Sequence, residues 1–470
     1  NAGSEGIQGA PQSGTPSFKS GNENIPMTVS ATNPAKLVDP ANNQPIEATE
    51  IDAKNAAGEK VGLYTINPAT GEVTFTPEPG FSGTPVPATV QAKDGNGTPT
   101  TATYTPVVKA AVPSGDNQVT SDIQGAKQTA TPVFTPGKNT VNNQEVSVPF
   151  EATSKAKLID PSKTGDEREV TTLVVENQGT YTIDDNGVVT FTPLPTFKGE
   201  ATAVSIVRKD KNGTPATATF KPNVVGVTPS ATEATTTKVQ GATQETPVTF
   251  TPGKATIGTA EKSVPMDPNA YKLLGGDNGT TPSDTVPAMS EDGTKQVGTY
   301  TIKVVDGKPV VTFTPTDKTY AGKLKPVTVQ GKDTNGTEAT TTYTPVITPI
   351  VPTSENGTSE GPQGVEQTGS VTFKPGKEPG TENTPVAIDK TKMTLLGGTD
   401  GNPVESLTVS KDGKEIGTYT LVKDPSGLPT GEVKFTPTDK SYVGEVPPAT
   451  VQVKDANGTP ATATYTPTFT

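Results

Sequence analysis

The chain contains no cysteine, no histidine and no tryptophan. Without cysteine there are no disulfides, no thiol nucleophile and no thiolate metal ligand. Without histidine the commonest general base is gone, so an active site would have to rest on Asp, Glu, Lys, Ser or Thr. Long apolar runs are missing too. Stretches such as "VITPIV" are far too short to span a bilayer. No stripe of Lys and Arg is visible against a net charge of −12, which argues against nucleic acid as a partner. Acidity of this size over 470 residues mainly signals solubility. No G-x-x-x-x-G-K-[ST] phosphate loop occurs, and "GKDTNG" and "GGDNG" lack a following helix pattern.

What is present is turn-forming and β-forming. There are 48 glycines and 47 prolines, about a fifth of the chain, below the ~25–30% that argues for low-complexity disorder. Only 30% of residues are hydrophobic and 5% aromatic, so each core is lean. The length suits about three or four domains. Lean domains without disulfides fit a cytosolic protein, or a surface protein of an organism that avoids cysteine. The chain opens "NAGSEG", with no initiator Met or leader, and closes at "YTPTFT" on a repeat boundary. It reads as a piece of a longer protein.

The organisation is an array. Five aromatic positions recur four times: Phe18, Phe134, Phe250 and Phe373; Tyr64, Tyr181, Tyr300 and Tyr419; Phe75, Phe191, Phe313 and Phe435; Phe81, Phe197, Tyr320 and Tyr442; Tyr104, Phe220, Tyr343 and Tyr465. All other aromatics are Phe150, Tyr271 and Phe469. The expected repeats are 1–108, 109–224, 225–347 and 348–470. The Pro/Thr/Ser-rich segments at the boundaries, such as "VVKAAVPSGDNQVTSDIQG", suit extended and weakly structured backbone. From the fifth aromatic of one repeat to the first of the next is always 30 residues, and from the fourth to the fifth always 23. The gap between second and third drifts: 11, 10, 13 and 16. A slack linker tolerates length change at little cost. A constant junction in a drifting array therefore points to neighbours meeting in a fixed geometry. Two subtypes are visible: "AKLVDP" and "AKLIDP" mark the first two repeats, "LLGGDNG" and "LLGGTDG" the last two.

Each repeat reads as strands. "G-[TL]-Y-T-[IL]" and "V-[TK]-F-T-P" form one hairpin around the variable loops "NPATGE", "DDNGV", "KVVDGKPV" and "VKDPSGLPTGE". Alternation puts Tyr and Phe on one face and Thr on the other. A second hairpin closes the repeat: "KDGNGTPTTATYTP", "KDKNGTPATATFKP", "KDTNGTEATTTYTP" and "KDANGTPATATYTP". Its D-x-N-G-T turn places Gly97, Gly213, Gly336 and Gly458 where φ > 0 is needed, and Asp94, Asp210, Asp333 and Asp455 where a carboxylate can bond the turn backbone.

Three chemical readings compete with the turn. The phrase matches part of a calcium loop, but the next ligand position is Thr and the bidentate Glu is missing. "N-G-T" is also a glycosylation sequon, coincident with the turn requirement. The Lys-Asp pair at 93–94, 209–210, 332–333 and 454–455 suits a self-formed amide cross-link, yet alternation in "VQAKD" turns Val90 and Ala92 inward and Lys93 outward. No pair of carboxylates recurs beside aromatics to line a sugar groove. No residue is assigned a catalytic, cofactor-binding or metal-ligating role, and no cofactor is expected; the chain reads as a non-enzyme.

The ordered run "G-T-Y-T-I…V-T-F-T-P…F-x-G…V-x-x-K-D-x-N-G-T-x-x-T-A-T-Y-T-P" resembles the CshA-type fibril repeat of streptococcal and other Gram-positive surface adhesins, across all four repeats. The resemblance implies a secreted, wall-anchored protein with an adhesive N-terminal region, a tandem array forming the fibril, and an LPxTG-type sorting signal. Host matrix or microbial ligands would be bound mainly by that N-terminal region, which lies outside this sequence. The expected fold is all-β: four tandem sandwiches of roughly seven or eight strands, end to end as an elongated monomeric rod. The expected role is a stalk projecting an adhesive tip. The alternative is that the repeats themselves bind host or microbial partners multivalently.

Overall fold

In the computed structural model, residues 1–377, 385–397 and 400–470 are described. Gly398 and Thr399 of the "LLGGTDG" motif lie outside them. The described residues are strands joined by turns, with a single short 3-10 turn at Gly165–Arg168. The chain divides into two compact units: Asn1–Val227 with Lys254–Ser263, and Thr228–Gly253 with Val264–Thr470.

The first repeat shows the plan. One sheet runs, in spatial order, Ala2–Ile7, Pro99–Lys109, Ala88–Lys93, Lys36–Asp39, Gln44–Pro45. The other runs Gln12–Gly14, Val73–Pro77, Lys60–Ile66, Glu50–Lys54. These nine strands exceed the seven or eight expected, because the additional pieces are as short as the two residues of Gln44–Pro45. All neighbours are antiparallel but one: Ala2–Ile7 runs parallel to the closing strand Pro99–Lys109, with Ala2 opposite Tyr104 and Ile7 opposite Lys109. The same parallel pairing returns as Gln118 opposite Phe220, Ala234 opposite Tyr343 and Gly357 opposite Tyr465. This corrects the expectation for the boundary segments. Each is ordered, because its strand-forming half completes the sheet of its own repeat.

Both predicted hairpins form. Tyr64 stands opposite Phe75, Tyr181 opposite Phe191, Tyr300 opposite Phe313 and Tyr419 opposite Phe435, whatever the loop length between them. The fifth aromatic reaches the same point from the other sheet. Tyr64 lies 5.2 Å from Phe75 and 6.2 Å from Tyr104, centroid to centroid, and the trio repeats in every core. All twelve rings at these three positions are buried. The first and fourth aromatics are half-buried at the core's margin. Buried phenols need partners. Tyr64, Tyr181, Tyr300 and Tyr419 donate to the carbonyls of Val86, Thr202, Lys325 and Pro447. The remaining aromatics also pack: Tyr271 on Phe250, Phe469 on Phe435, and Phe150 beneath the Arg208 guanidinium at 4.7 Å. Among the described residues no aromatic ring is exposed.

Candidate functional site: the junction between repeats

The turn of the closing hairpin has the predicted geometry. Gly97, Gly213, Gly336 and Gly458 have φ between 80° and 85°. In each turn the Asp Oδ1 accepts two backbone N–H bonds, from Asn96 and Thr98 in the first and from Asn457 and Thr459 in the last. Asp210, Asp333 and Asp455 are almost wholly buried, and their Oδ2 atoms have no partner in the structure. In the first repeat the Ser20 hydroxyl lies 3.5 Å from Asp94 Oδ2. With Oδ1 committed to the turn, the carboxylate works as a brace. Among the described residues no cluster of acidic side chains is spaced to hold a metal ion.

The Lys-Asp pair separates into two environments. Lys93 and Lys454 are exposed, Lys209 pairs with Glu169 at 2.5 Å and Lys332 with Glu338 at 3.0 Å. The neighbouring aspartates face inward, so the cross-link reading gains no geometric support.

The turn also reaches beyond its own repeat. Asn212 Nδ2 donates to the backbone carbonyl of Gln8 at 2.9 Å, from the second repeat's turn to the corner where the first repeat's opening strand ends. In the second compact unit, Asn457 does the same to Gln240 at 3.3 Å. The corner is itself fixed. The Oε1 atoms of Gln8, Gln124 and Gln240, all buried, accept from the N–H of Ala111, Val227 and Ile350, the residues that begin the passage to the next repeat. The following glycines, Gly9 and Gly241, have φ of 78° and 80°. A Cβ on Gly9 would lie 2.1 Å from Asn212 Oδ1. A small apolar cluster of Ile7, Ala111 and Val148 seals the first junction, with Ala10, Val141 and Val146 against it.

A second glutamine stands four positions on. Gln12, Gln128, Gln244 and Gln367 are buried; each takes a Ser or Thr hydroxyl at 2.6 Å and donates to a carbonyl of the closing strand. These bonds tie the two sheets together beside the corner. The Q-G-x-x-Q spacing recurs four times in the sequence and was the available signal for both glutamines.

The fold and this junction define a class: a tandem β-sandwich protein in which equivalent contacts join neighbouring repeats. The surface adhesin CshA repetitive domain matches residues 1–108, 110–224, 226–347 and 349–469, and the chain belongs to this adhesin repeat family. No curated protein matches the chain. Among solved structures, a tetra-tandem repeat in the extending region of a large adhesion protein is similar at 15% identity and a TM-score of 0.28, over 94% of this chain and 93% of that one. Protocadherin Gamma B7 cadherin domains 1–4 are similar at 10% identity and 0.29, over 100% of both chains. Titin domains I67–I69 are similar at 13% and 0.26, over 77% of this chain and 99% of that one.

Proposed function

We propose that this chain is a stretch of stalk in a fibrillar adhesin on the wall of a Gram-positive bacterium, holding an adhesive tip away from the cell. Its domains would be 1–108, 109–224, 225–347 and 348–470, arranged as a monomeric rod without enzymatic activity. Membership in a surface adhesin repeat family supports an extracellular adhesin region. The observation that carries the stalk reading is the repeated clasp, Asn212 on Gln8 and Asn457 on Gln240. A flexible tether has no use for a side chain that fixes one repeat against the next. Small-angle X-ray scattering tests the reading. Four sandwiches end to end should give a rod-like profile with a maximum dimension of ~160–200 Å. A broad, flexible profile or a compact particle would overturn it.

The second reading has the repeats themselves binding host matrix or microbial partners. A groove of about 570 Å³ in the first repeat, lined by Leu37, Ile46, Ile51, Val86 and the carboxylates of Asp39 and Asp52, gives it a place. The variable hairpin loops give it another. Exchanging "VKDPSGLPTGE" for "NPATGE" in the fourth repeat should leave cell binding unchanged if the stalk reading holds.

A further inference from the structure

The first repeat lacks a part that the later repeats have. In the second, the strands Gly137–Val141 and Gln144–Val148 form a two-stranded hairpin apart from both sheets, turned by Asn142 and Asn143 at φ of 48° and 64°. The third has its counterpart in Gly253–Ile257 and Ala260–Val264, and the fourth pairs Gly376–Lys377 with Pro385–Val386. The closing turn marks equivalent positions. Its second residue donates to the carbonyls of Pro26, Pro149, Pro265 and Ala387 in turn. From the first aromatic to that carbonyl is 15 residues in the second and third repeats, 14 in the fourth, and 8 in the first. Residues 15–29 contain no strand.

The hairpin contacts the repeat before it. Val141, Val146 and Val148 pack with Ile7, and the Asn142 N–H points to Glu5 Oε2 at 3.4 Å. Lys254–Ser263, nearly the whole hairpin of the third repeat, belongs to the first compact unit and not to the unit holding the rest of that repeat. There Lys262 grips Asp122 at 2.8 and 2.9 Å. Lys262 stands where the second repeat's hairpin has Val146, and Asp122 stands where the first repeat's strand has Gly6.

We propose that the hairpin is a docking arm, and that the first repeat, having none, receives a repeat on its Gln8–Gly9 corner but lays no arm on a repeat before it. The deletion, not the position in the chain, carries this assignment. It stands apart from the stalk reading, which rests on the turn clasp and not on the hairpin.

The absence of cysteine makes the test clean. Thr76 and Thr192 are exposed equivalents in the first two repeats. Spin labels at T76C and T192C in the full chain should give a narrow distance distribution by pulsed electron paramagnetic resonance. Replacing residues 136–149 with the first repeat's 20–26 should widen it about twofold or more, because a small junction leaves domains free to move. Near-ultraviolet circular dichroism checks that the tyrosine cores survive. Should that variant not fold, a second construction decides. Residues 1–108 are duplicated ahead of the full chain, with one label at Thr76 in each copy. The junction between the copies should be broad, and should narrow when the 136–149 segment is grafted into the second copy. An unchanged width on disarming, or a copy-to-copy junction as narrow as the native one, would overturn the proposal.

Discussion

The side-chain amide of Asn212 and the backbone carbonyl of Gln8 are joined at 2.9 Å across a repeat boundary. The same asparagine provides its backbone N–H to Asp210 Oδ1 at 2.9 Å. One residue therefore serves the turn with its backbone and the junction with its side chain. Asn212→Ala should leave the turn intact and cost about 1 kcal/mol through the lost bond. Gly9→Ala should cost more, about 1–3 kcal/mol, since its Cβ would meet Asn212 Oδ1 and its φ of 78° disfavours any side chain. Thermal unfolding of both variants gives the order. The label-pair distance between repeats should broaden in each, while a pair within one repeat stays sharp.

The aspartate of the same turn can be tested separately. Asp333 Oδ1 accepts from Asn335 at 2.9 Å and Thr337 at 2.8 Å. Asp333→Ala strands two N–H groups and should destabilise the third repeat by about 1–3 kcal/mol. Asp333→Asn keeps an acceptor oxygen and should cost less. Neither calcium nor a chelator should move the melting temperature of the parent chain. A calcium-dependent rise would restore the ion-loop reading.

The Gly of "G-[TL]-Y-T-[IL]" is required by close approach. A Cβ on Gly417 would lie 2.2 Å from the Phe435 ring, and one on Gly298 would lie 2.4 Å from the Thr314 carbonyl. The Phe of the opposed pair therefore leans over the backbone of its neighbouring strand. Gly417→Ala should overpack the fourth repeat and cost about 1–3 kcal/mol. Gly427→Ala, in the exposed hairpin loop where a Cβ meets nothing and a φ of 87° supplies only a backbone penalty, gives the non-steric comparison. Calorimetric unfolding should show the larger loss at Gly417.

Much of this was legible in the sequence, because period-2 alternation and recurrent aromatics report directly on which face is buried. Tyr64 opposite Phe75, Gly97 at positive φ and Asp94 bracing its turn all follow from local pattern. The junction was only half legible. The constant 30-residue spacing pointed to a fixed joint, but not to Gln8 or Asn212, since a contact across 204 positions leaves no local mark. The missing arm was hidden by compensation. The first repeat is seven residues shorter before Pro26 and longer between Pro26 and Tyr64, so the first period stays 116. The parallel strands Ala2–Ile7 and Gln118–Ile123 were missed because Ser, Thr, Gly and Gln dominate them, and a parallel edge beside the closing strand imposes no strong apolar alternation.

The buried phenols set the alkaline limit. Burial raises the pKa of Tyr64, Tyr181, Tyr300 and Tyr419 well above the usual value near 10. A phenol raised in the folded state contributes stability that is whole below the unfolded value. That stability is lost as pH rises past it, because the unfolded chain then releases the proton first. The chain should keep a constant melting temperature up to about pH 9 and lose it steadily above about pH 10. Burial also raises Tyr104, Tyr343 and Tyr465, while hydroxyl bonds from Ser4, Thr236 and Ser359 partly oppose the shift. The second repeat has Phe220 at that position and so one buried phenol fewer. It should be the last to yield. Tyr343→Phe gives up the 2.8 Å bond to Thr236, so it should lower stability slightly at neutral pH and flatten the alkaline loss. Phenolate absorbance followed with near-ultraviolet circular dichroism across the titration checks both. Ionisation of the core tyrosines without loss of the aromatic signal would mean that they are hydrated in the folded state, and the alkaline prediction would fail.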